Sequence, residues 1–388
     1  MMEMPLVKVK QGELRGIIEK NINGKSFFAF RGVPYAKPPV GNLRFKDSES
    51  PVSWSGVKNA SEFRPRCAQE DWITRKIIGS DDCLYLNVYT TKLNVTIPRA
   101  VMVYIHGGSF ICGSGEDVMF GPDYLIEREI VLVTINYRVG IFDSKAKNPF
   151  LSIPLHEAIK NGIKIPTMCG YLSHEGIIVI AGMNDDMYNE INADVENLLI
   201  HPTAKKILNK YNLTVNDVKQ FYFGDGKMCS KNIEKIVDVM STVHFILGIH
   251  DVIEIQSKIP HAPMYVYKFE YEVETSLLKK FLNVEVKGTC HGEELSFLFY
   301  QKLTKLLDKQ IGIPGSIEHD FIEKFTKMWT DFAKTGNPTP QLTNEIPVEW
   351  KPVDNSDGYK CLLITNKLNM ITEMKITQQL RKSIKNKL

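Results

Sequence analysis

The sequence predicts an α/β fold built on a doubly wound sheet, and three observations carry that expectation. Short apolar runs at Tyr85–Thr90, Val101–Ile105, 131–136, 165–171 and Met264–Phe269 read as strands, spaced through most of the chain. Val101–Ile105 lacks the alternation of a half-solvated strand, as expected of a strand covered on both faces. Segments of helical periodicity lie between and beyond these runs. Finally, Val101–Ile105 breaks sharply into His106-Gly107-Gly108, a glycine-rich loop at the C-terminal end of a strand, where a backbone can approach a ligand closely.

Residues 6–36 alternate and break at Gly12, Gly16 and Gly24, which predicts a small antiparallel ribbon. Prolines 34, 38 and 39 mark an extended crossing loop, and residues 67–83 form an irregular region around Trp72. A short helix is expected within 117–129. Residues 155–161 predict an amphipathic helix stopped by Gly162, and 186–200, 203–211 and 230–247 read as helices broken by His201-Pro202 and Gly224-Asp225-Gly226. Ile317–Thr335 predicts a helix ended by Gly336-Asn337-Pro338.

Composition sets bounds on function. The chain has 388 residues, 43% hydrophobic and 24% charged, with a net charge of +3, and a single large α/β domain accommodates it. That charge is too small to argue for a nucleic-acid partner or an anionic membrane. No run of eighteen apolar residues is present, so no membrane span is expected. Met1-Met2-Glu3-Met4-Pro5 lacks the basic and apolar regions of a secretory signal, which reads as cytoplasmic. Asn59, Asn94 and Asn212 begin glycosylation sequons and pull the other way.

Several longer motifs follow in order: Gly32-Val33-Pro34-Tyr35-Ala36-Lys37-Pro38-Pro39-Val40-Gly41 with Leu43-Arg44-Phe45, Asp82-Cys83-Leu84-Tyr85-Leu86-Asn87-Val88-Tyr89, the glycine loop, and Asn136-Tyr137-Arg138-Val139-Gly140. Ser173-His174-Glu175-Gly176, His291-Gly292-Glu293-Glu294-Leu295 and the run from Trp329 to Pro338 continue the series. Together they closely resemble the type-B carboxylesterases of the α/β-hydrolase superfamily, in particular the insect esterases, over nearly the whole chain. The resemblance implies one domain over 1–388, an α/β-hydrolase fold, a disulfide between Cys67 and Cys83, and hydrolysis of small-molecule carboxylic esters with no metal or cofactor. A loop of that size contributes about 3 kcal/mol when oxidised, and an oxidised loop suggests a secretory parent. Seven cysteines is an odd number, so Cys112, Cys169, Cys229, Cys290 and Cys361 cannot all pair within the chain.

The resemblance also assigns roles. Glu175 matches the acid of a catalytic triad, His291 the base, and Gly107 and Gly108 two donors of the oxyanion hole. The nucleophile is missing, because no Gly-x-Ser-x-Gly occurs in the sequence. The family pattern breaks at Phe142, and Asp143-Ser144-Lys145 resumes just ahead of the acidic member. This implies an absent block between a half at 1–142 and a half at 143–388, carrying the central nucleophile strand and its adjoining helices. Ser109, Ser114 and Cys290 are weak substitutes, because none sits on a strand-to-helix elbow facing the hole. Loss of the nucleophile in a comparable serine hydrolase costs about 10⁶ in turnover. The expectation is therefore a silent esterase scaffold, with a binding, adhesion or ester-sequestering module of the same family as the alternative. The gap also predicts that 165–171 slides across to pair with Val101–Ile105.

Overall fold

The computed structural model describes residues 4–386 apart from 73, 143–154, 274–275, 308–311, 313–314, 355 and 357. The Phe142–Asp143 junction opens onto residues that lie outside this description. The described chain forms two compact units. The first comprises residues 1–152 and 295–338, the second 153–294 and 339–388.

In the first unit, glycines 12, 16 and 24 break the N-terminal ribbon as expected. Strands β1 (Leu6–Val9), β2 (Gly12–Arg15), β3 (Ile17–Lys20) and β4 (Ser26–Pro34) follow one another, and β5 (Val57–Asn59) pairs parallel with β2. Two short strands, β6 (Gln69–Glu70) and β7 (Ile77–Ile78), form a ribbon inside the loop closed by the Cys67–Cys83 disulfide. The main sheet runs β3-β4-β8-β10-β9, with β8 at Tyr85–Thr90, β9 at Val101–Ile105 and β10 at Val131–Ile135. Only the β9–β10 ladder is parallel, and β9 lies at the edge of the sheet.

The 117–129 connection holds an α-helical turn at Asp117–Phe120 and a 3-10 turn at Leu125–Arg128. Helix Ile317–Thr335 has the boundaries read from sequence. The Ser316 hydroxyl accepts from the His319 N–H at 3.1 Å, and Gly336 ends the helix with φ 74° and an N–H to the Phe332 carbonyl. Phe321 and Phe325 form its buried face.

The second unit carries its own sheet, β11-β12-β13-β14, at Thr167–Leu172, Met264–Phe269, Tyr359–Ile364 and Leu368–Glu373. The first three strands are mutually parallel and the last closes a hairpin. The expected pairing of 165–171 with Val101–Ile105 does not occur. Strand β11 pairs with β12 and β9 with β10, each the edge strand of a separate sheet among the described residues. Both strands are satisfied on one side by ladders of five to six residue pairs, and a slide of β11 to β9 would forfeit its own ladder.

Helices Asp185–Ala193, Pro202–Lys210 and Val215–Phe223 surround the unit's core. The helix expected over 186–200 breaks at Asp194, whose carboxylate caps a new turn at Val195–Leu198. The run from Ser230 continues to Gln256 and is long and apolar enough to cross a membrane by length and composition alone, a property that buried core helices share. Its Ile236, Val237, Val239, Met240, Val243 and Leu247 are buried in the unit's own core, which accounts for that composition.

Candidate functional site

The second unit brings two of the four predicted site residues into contact. Strand β11 ends at Leu172, and the following turn delivers Glu175 beneath the sheet edge. One Glu175 carboxylate oxygen accepts the Leu172 N–H at 2.8 Å, and the other lies 2.6 Å from His291 Nδ1. Glu175 is buried, its side chain 4% exposed, whereas His291 is 47% exposed. The turn needs Gly176, since a Cβ there would stand 2.4 Å from the Val237 carbonyl. The Gly176 N–H donates to Ser241 Oγ at 2.8 Å, and that hydroxyl donates to the Val237 carbonyl at 2.7 Å.

The segment before His291 is pinned twice. The His174 N–H donates to the Thr289 carbonyl at 3.1 Å, and the Cys290 N–H donates to Glu293 at 2.8 Å. A single π-helical turn, Thr242–Ile246, interrupts the long helix and sets the Phe245 ring 4.8 Å from the imidazole of His291. Such turns are rare and concentrate at functional sites.

Electrostatics follow from this packing. Burial opposes a charge on His291, but the hydrogen-bonded Glu175 carboxylate, aided by Glu294, outweighs it and raises the imidazole pKa above its ordinary value. Glu294 is pushed up to about 7 by burial, with repulsion from Glu175 adding to it. One of its oxygens, Oε2, is buried without a hydrogen bond among the described residues.

The other two predicted residues lie in the first unit. The loop after β9 is tightly folded: the N–H groups of Ile111 and Cys112 both donate to the Gly108 carbonyl. A Cβ at Gly108 would meet the Cys112 carbonyl at 2.1 Å, and its φ of +116° is glycine territory. Among the described residues, nothing lies within 4 Å of a Cβ built on Gly107. His106 is buried beneath the loop and stacks on Tyr137, whose hydroxyl donates to the His106 carbonyl at 2.7 Å. Burial lowers the pKa of this imidazole.

None of the weak substitutes is an activated nucleophile. Cys290 is fully buried and its thiol is pushed up to about 12 by burial. Ser109 is exposed and Ser114 buried, and neither bonds a histidine among the described residues. A serine not singled out in sequence, Ser173, does: its Oγ lies 2.8 Å from His174 Nδ1 and accepts the Thr289 N–H at 3.2 Å. The adjacent Ser-His pair was visible in sequence. Nothing local signalled the π turn that brings up Phe245.

Comparison with known proteins agrees with this architecture. The sequence model described as Carboxylesterase family matches residues 3–146 and 143–383, in two segments that meet where the described structure is interrupted. A juvenile hormone esterase from Tribolium castaneum is 40% identical over 184 residues, covering 47% of this chain and 30% of that protein. Esterase FE4 of Myzus persicae is 33% identical over 217 residues, 53% of this chain and 37% of that one. The chain thus spans about a third of the length of the curated relatives it matches. Among solved structures, juvenile hormone esterase from Manduca sexta, with OTFP covalently attached, superposes with a TM-score of 0.79 at 17% identity, over 99% of this chain and 100% of that one. A thermophilic PNB esterase gives 0.74, also at 17% identity, over 98% and 100%. The fold shared with these structures is the α/β-hydrolase fold.

Proposed function

The chain belongs to the carboxylesterase family, and on that premise we propose that it is a serine-esterase scaffold with no serine for its acid–base pair to serve. The parent reaction is hydrolysis of a small carboxylic ester through an acyl-serine. Glu175 would hold the imidazole, His291 would relay the proton, and the backbone N–H groups at Gly107 and Gly108 would receive the oxyanion. The observation that carries the reading is the contact of His291 with Glu175 at 2.6 Å in a chain that has no Gly-x-Ser-x-Gly. A histidine–carboxylate pair orients and charges an imidazole, but acyl transfer by this route also needs a hydroxyl on the Nε2 side.

Two further observations support a missing block between Phe142 and Asp143. The family match falls into two segments, and the strands that would flank such a block, β9 and β11, are both sheet edges. Its loss would remove the nucleophile and the third oxyanion donor together. Incubation of the purified chain with a fluorophosphonate probe tests the reading. We expect no phosphonate on any serine and no turnover of an alkyl ester such as ethyl acetate. A phosphonylated serine located by mass spectrometry, or alkyl-ester turnover, would reject it.

A further inference from the structure

Among the described residues no serine hydroxyl bonds the imidazole of His291, which leaves the ring with chemistry of its own. Nδ1 lies 2.6 Å from a buried carboxylate that has no hydrogen to give when ionised, so Nδ1 carries the proton. The tautomer that follows places the lone pair on Nε2. The side chain is 47% exposed, and Phe245 gives it one apolar neighbour. Glu175, Glu294 and the flanking Glu293 are the acidic groups around it, and Cys290 precedes it with a thiol pushed up by burial.

We propose that His291 is itself a nucleophile, and that the chain hydrolyses aryl esters through an acyl-imidazole at Nε2. The inference rests on the absence of a serine route. The Nε2 lone pair attacks the ester carbonyl carbon. The carbon–oxygen bond to the aryl group breaks, and the aryl oxide departs with its electron pair and takes a proton from water. The acylated ring is a cation as long as Nδ1 keeps its proton, and Glu175 beneath it supplies the opposite charge. Water then adds to the acyl carbon, its surplus proton combines with the hydroxide left when the aryl oxide was protonated, and the carbon–nitrogen bond breaks. This releases a carboxylic acid and returns the imidazole to its starting tautomer, so the sum is ester plus water giving acid plus phenol. A neutral imidazole expels only leaving groups better than itself. Oxides of acidic phenols, whose basicity approaches that of imidazole, qualify and ordinary alkoxides do not, so the substrate class is esters of acidic phenols.

Full-length chain is assayed with p-nitrophenyl acetate beside His291→Ala, His291→Gln, Glu175→Gln and His201→Ala. The glutamine at 291 can still donate to Glu175, which guards against a merely unfolded variant. We expect both 291 variants to fall to the rate of the uncatalysed reaction, because the attacking atom is gone. His201→Ala, which removes an exposed helix-capping histidine with no hydrogen bond to Glu175 or His291, is expected to match the parent. The rate should rise with pH as His291 deprotonates, with a midpoint that Glu175→Gln moves downward, a shift that a packing role would not produce. Acid quench and digestion should place acetyl on the peptide bearing His291. An unchanged rate in folded His291→Gln, or acetyl on Ser173, would overturn the proposal. Hydrolysis of ethyl acetate would instead overturn the reading of the chain as lacking a serine route.

Discussion

The two edge strands differ sharply in how they are finished. On β9, Val101, Val103 and Ile105 are 58%, 57% and 63% exposed, and the loop beyond adds exposed Phe110 and Ile111. On β11 no residue is exposed, and Tyr171 and Leu172 are each 2% exposed. The difference lies in side-chain anchoring. The Tyr171 hydroxyl lies 2.6 Å from that of Tyr359 and donates to Glu373 at 2.9 Å. Lys268 pairs with the same carboxylate at 3.2 Å, and His250 Nε2 lies 2.9 Å from Tyr359. Strand β9 presents Val101, Val103 and Ile105, whose side chains have no polar atom to bond. It is a strand of interior composition at an exposed position, and such an edge is a template for association.

The largest expected effect is at Tyr171→Ala. Removing a buried aromatic costs about 3–5 kcal/mol, and leaving Tyr359 and Glu373 short of a partner adds to that. Urea unfolding followed by far-UV circular dichroism should show the loss. A change below about 1 kcal/mol would mean that β11 is no better anchored than β9. Next is the disulfide of the first unit, whose replacement by Cys67→Ser with Cys83→Ser is expected to cost about 3 kcal/mol. An unchanged midpoint under the same assay would show that the loop is held by its other contacts.

Acid sharpens the contrast. His250 is buried, accepts the Ile376 N–H at Nδ1, and has its pKa lowered to about 4, chiefly by burial. The unfolded imidazole titrates near its ordinary value of about 6.5. Below that pH the unfolded chain binds a proton that the folded chain refuses. Stability is therefore lost as pH falls from about 6.5 towards the folded value of about 4, by about 3 kcal/mol in all. His291 acts in the opposite sense. Its raised pKa stabilises the fold below the ordinary value, and that contribution is lost as pH rises through the folded pKa. Replacing His250 with Gln should flatten the limb of a stability–pH curve below about 6.5, whereas replacing His291 should leave that limb unchanged and remove a loss of stability above it. Parallel changes in the two variants would contradict both assignments.

Much of this was legible because the chain follows local rules where packing is conventional. Helix Ile317–Thr335 has a serine cap, an apolar stripe and a terminal glycine, so its ends were readable to the residue. Glu175 and His291 were singled out through the motifs around them, and the structure places their side chains 2.6 Å apart. The split of the sheet was not legible, because an apolar pentapeptide such as Val101–Ile105 has the same composition whether it lies at a centre or an edge. The helix over Val215–Phe223 was missed although Thr214 and Asp217 form a capping box. The β13–β14 hairpin has no glycine turn to announce it: Thr365-Asn366-Lys367 joins its strands. Glu294 and Phe245 escape for another reason, since burial and a π turn are properties of the assembled unit.

The smallest expected effect on stability is also the most direct test of the comparison. Val103 is 57% exposed at the middle of the unanchored edge. Val103→Lys removes little buried area, so its cost should stay within about 0.5 kcal/mol. A charge at that position should nevertheless blunt pairing with another chain, because a lysine on an edge must be desolvated when a second strand docks. Light scattering of parent and variant across a concentration series should then show association falling while the unfolding midpoint holds. The matching change on the other edge, Tyr171→Lys, should instead unfold the chain, because it places a cation in a buried hydroxyl network. If Val103→Lys proves as costly as Tyr171→Lys, then β9 is covered in solution. In that case its exposed valines are the seat of a contact that the isolated chain does not make.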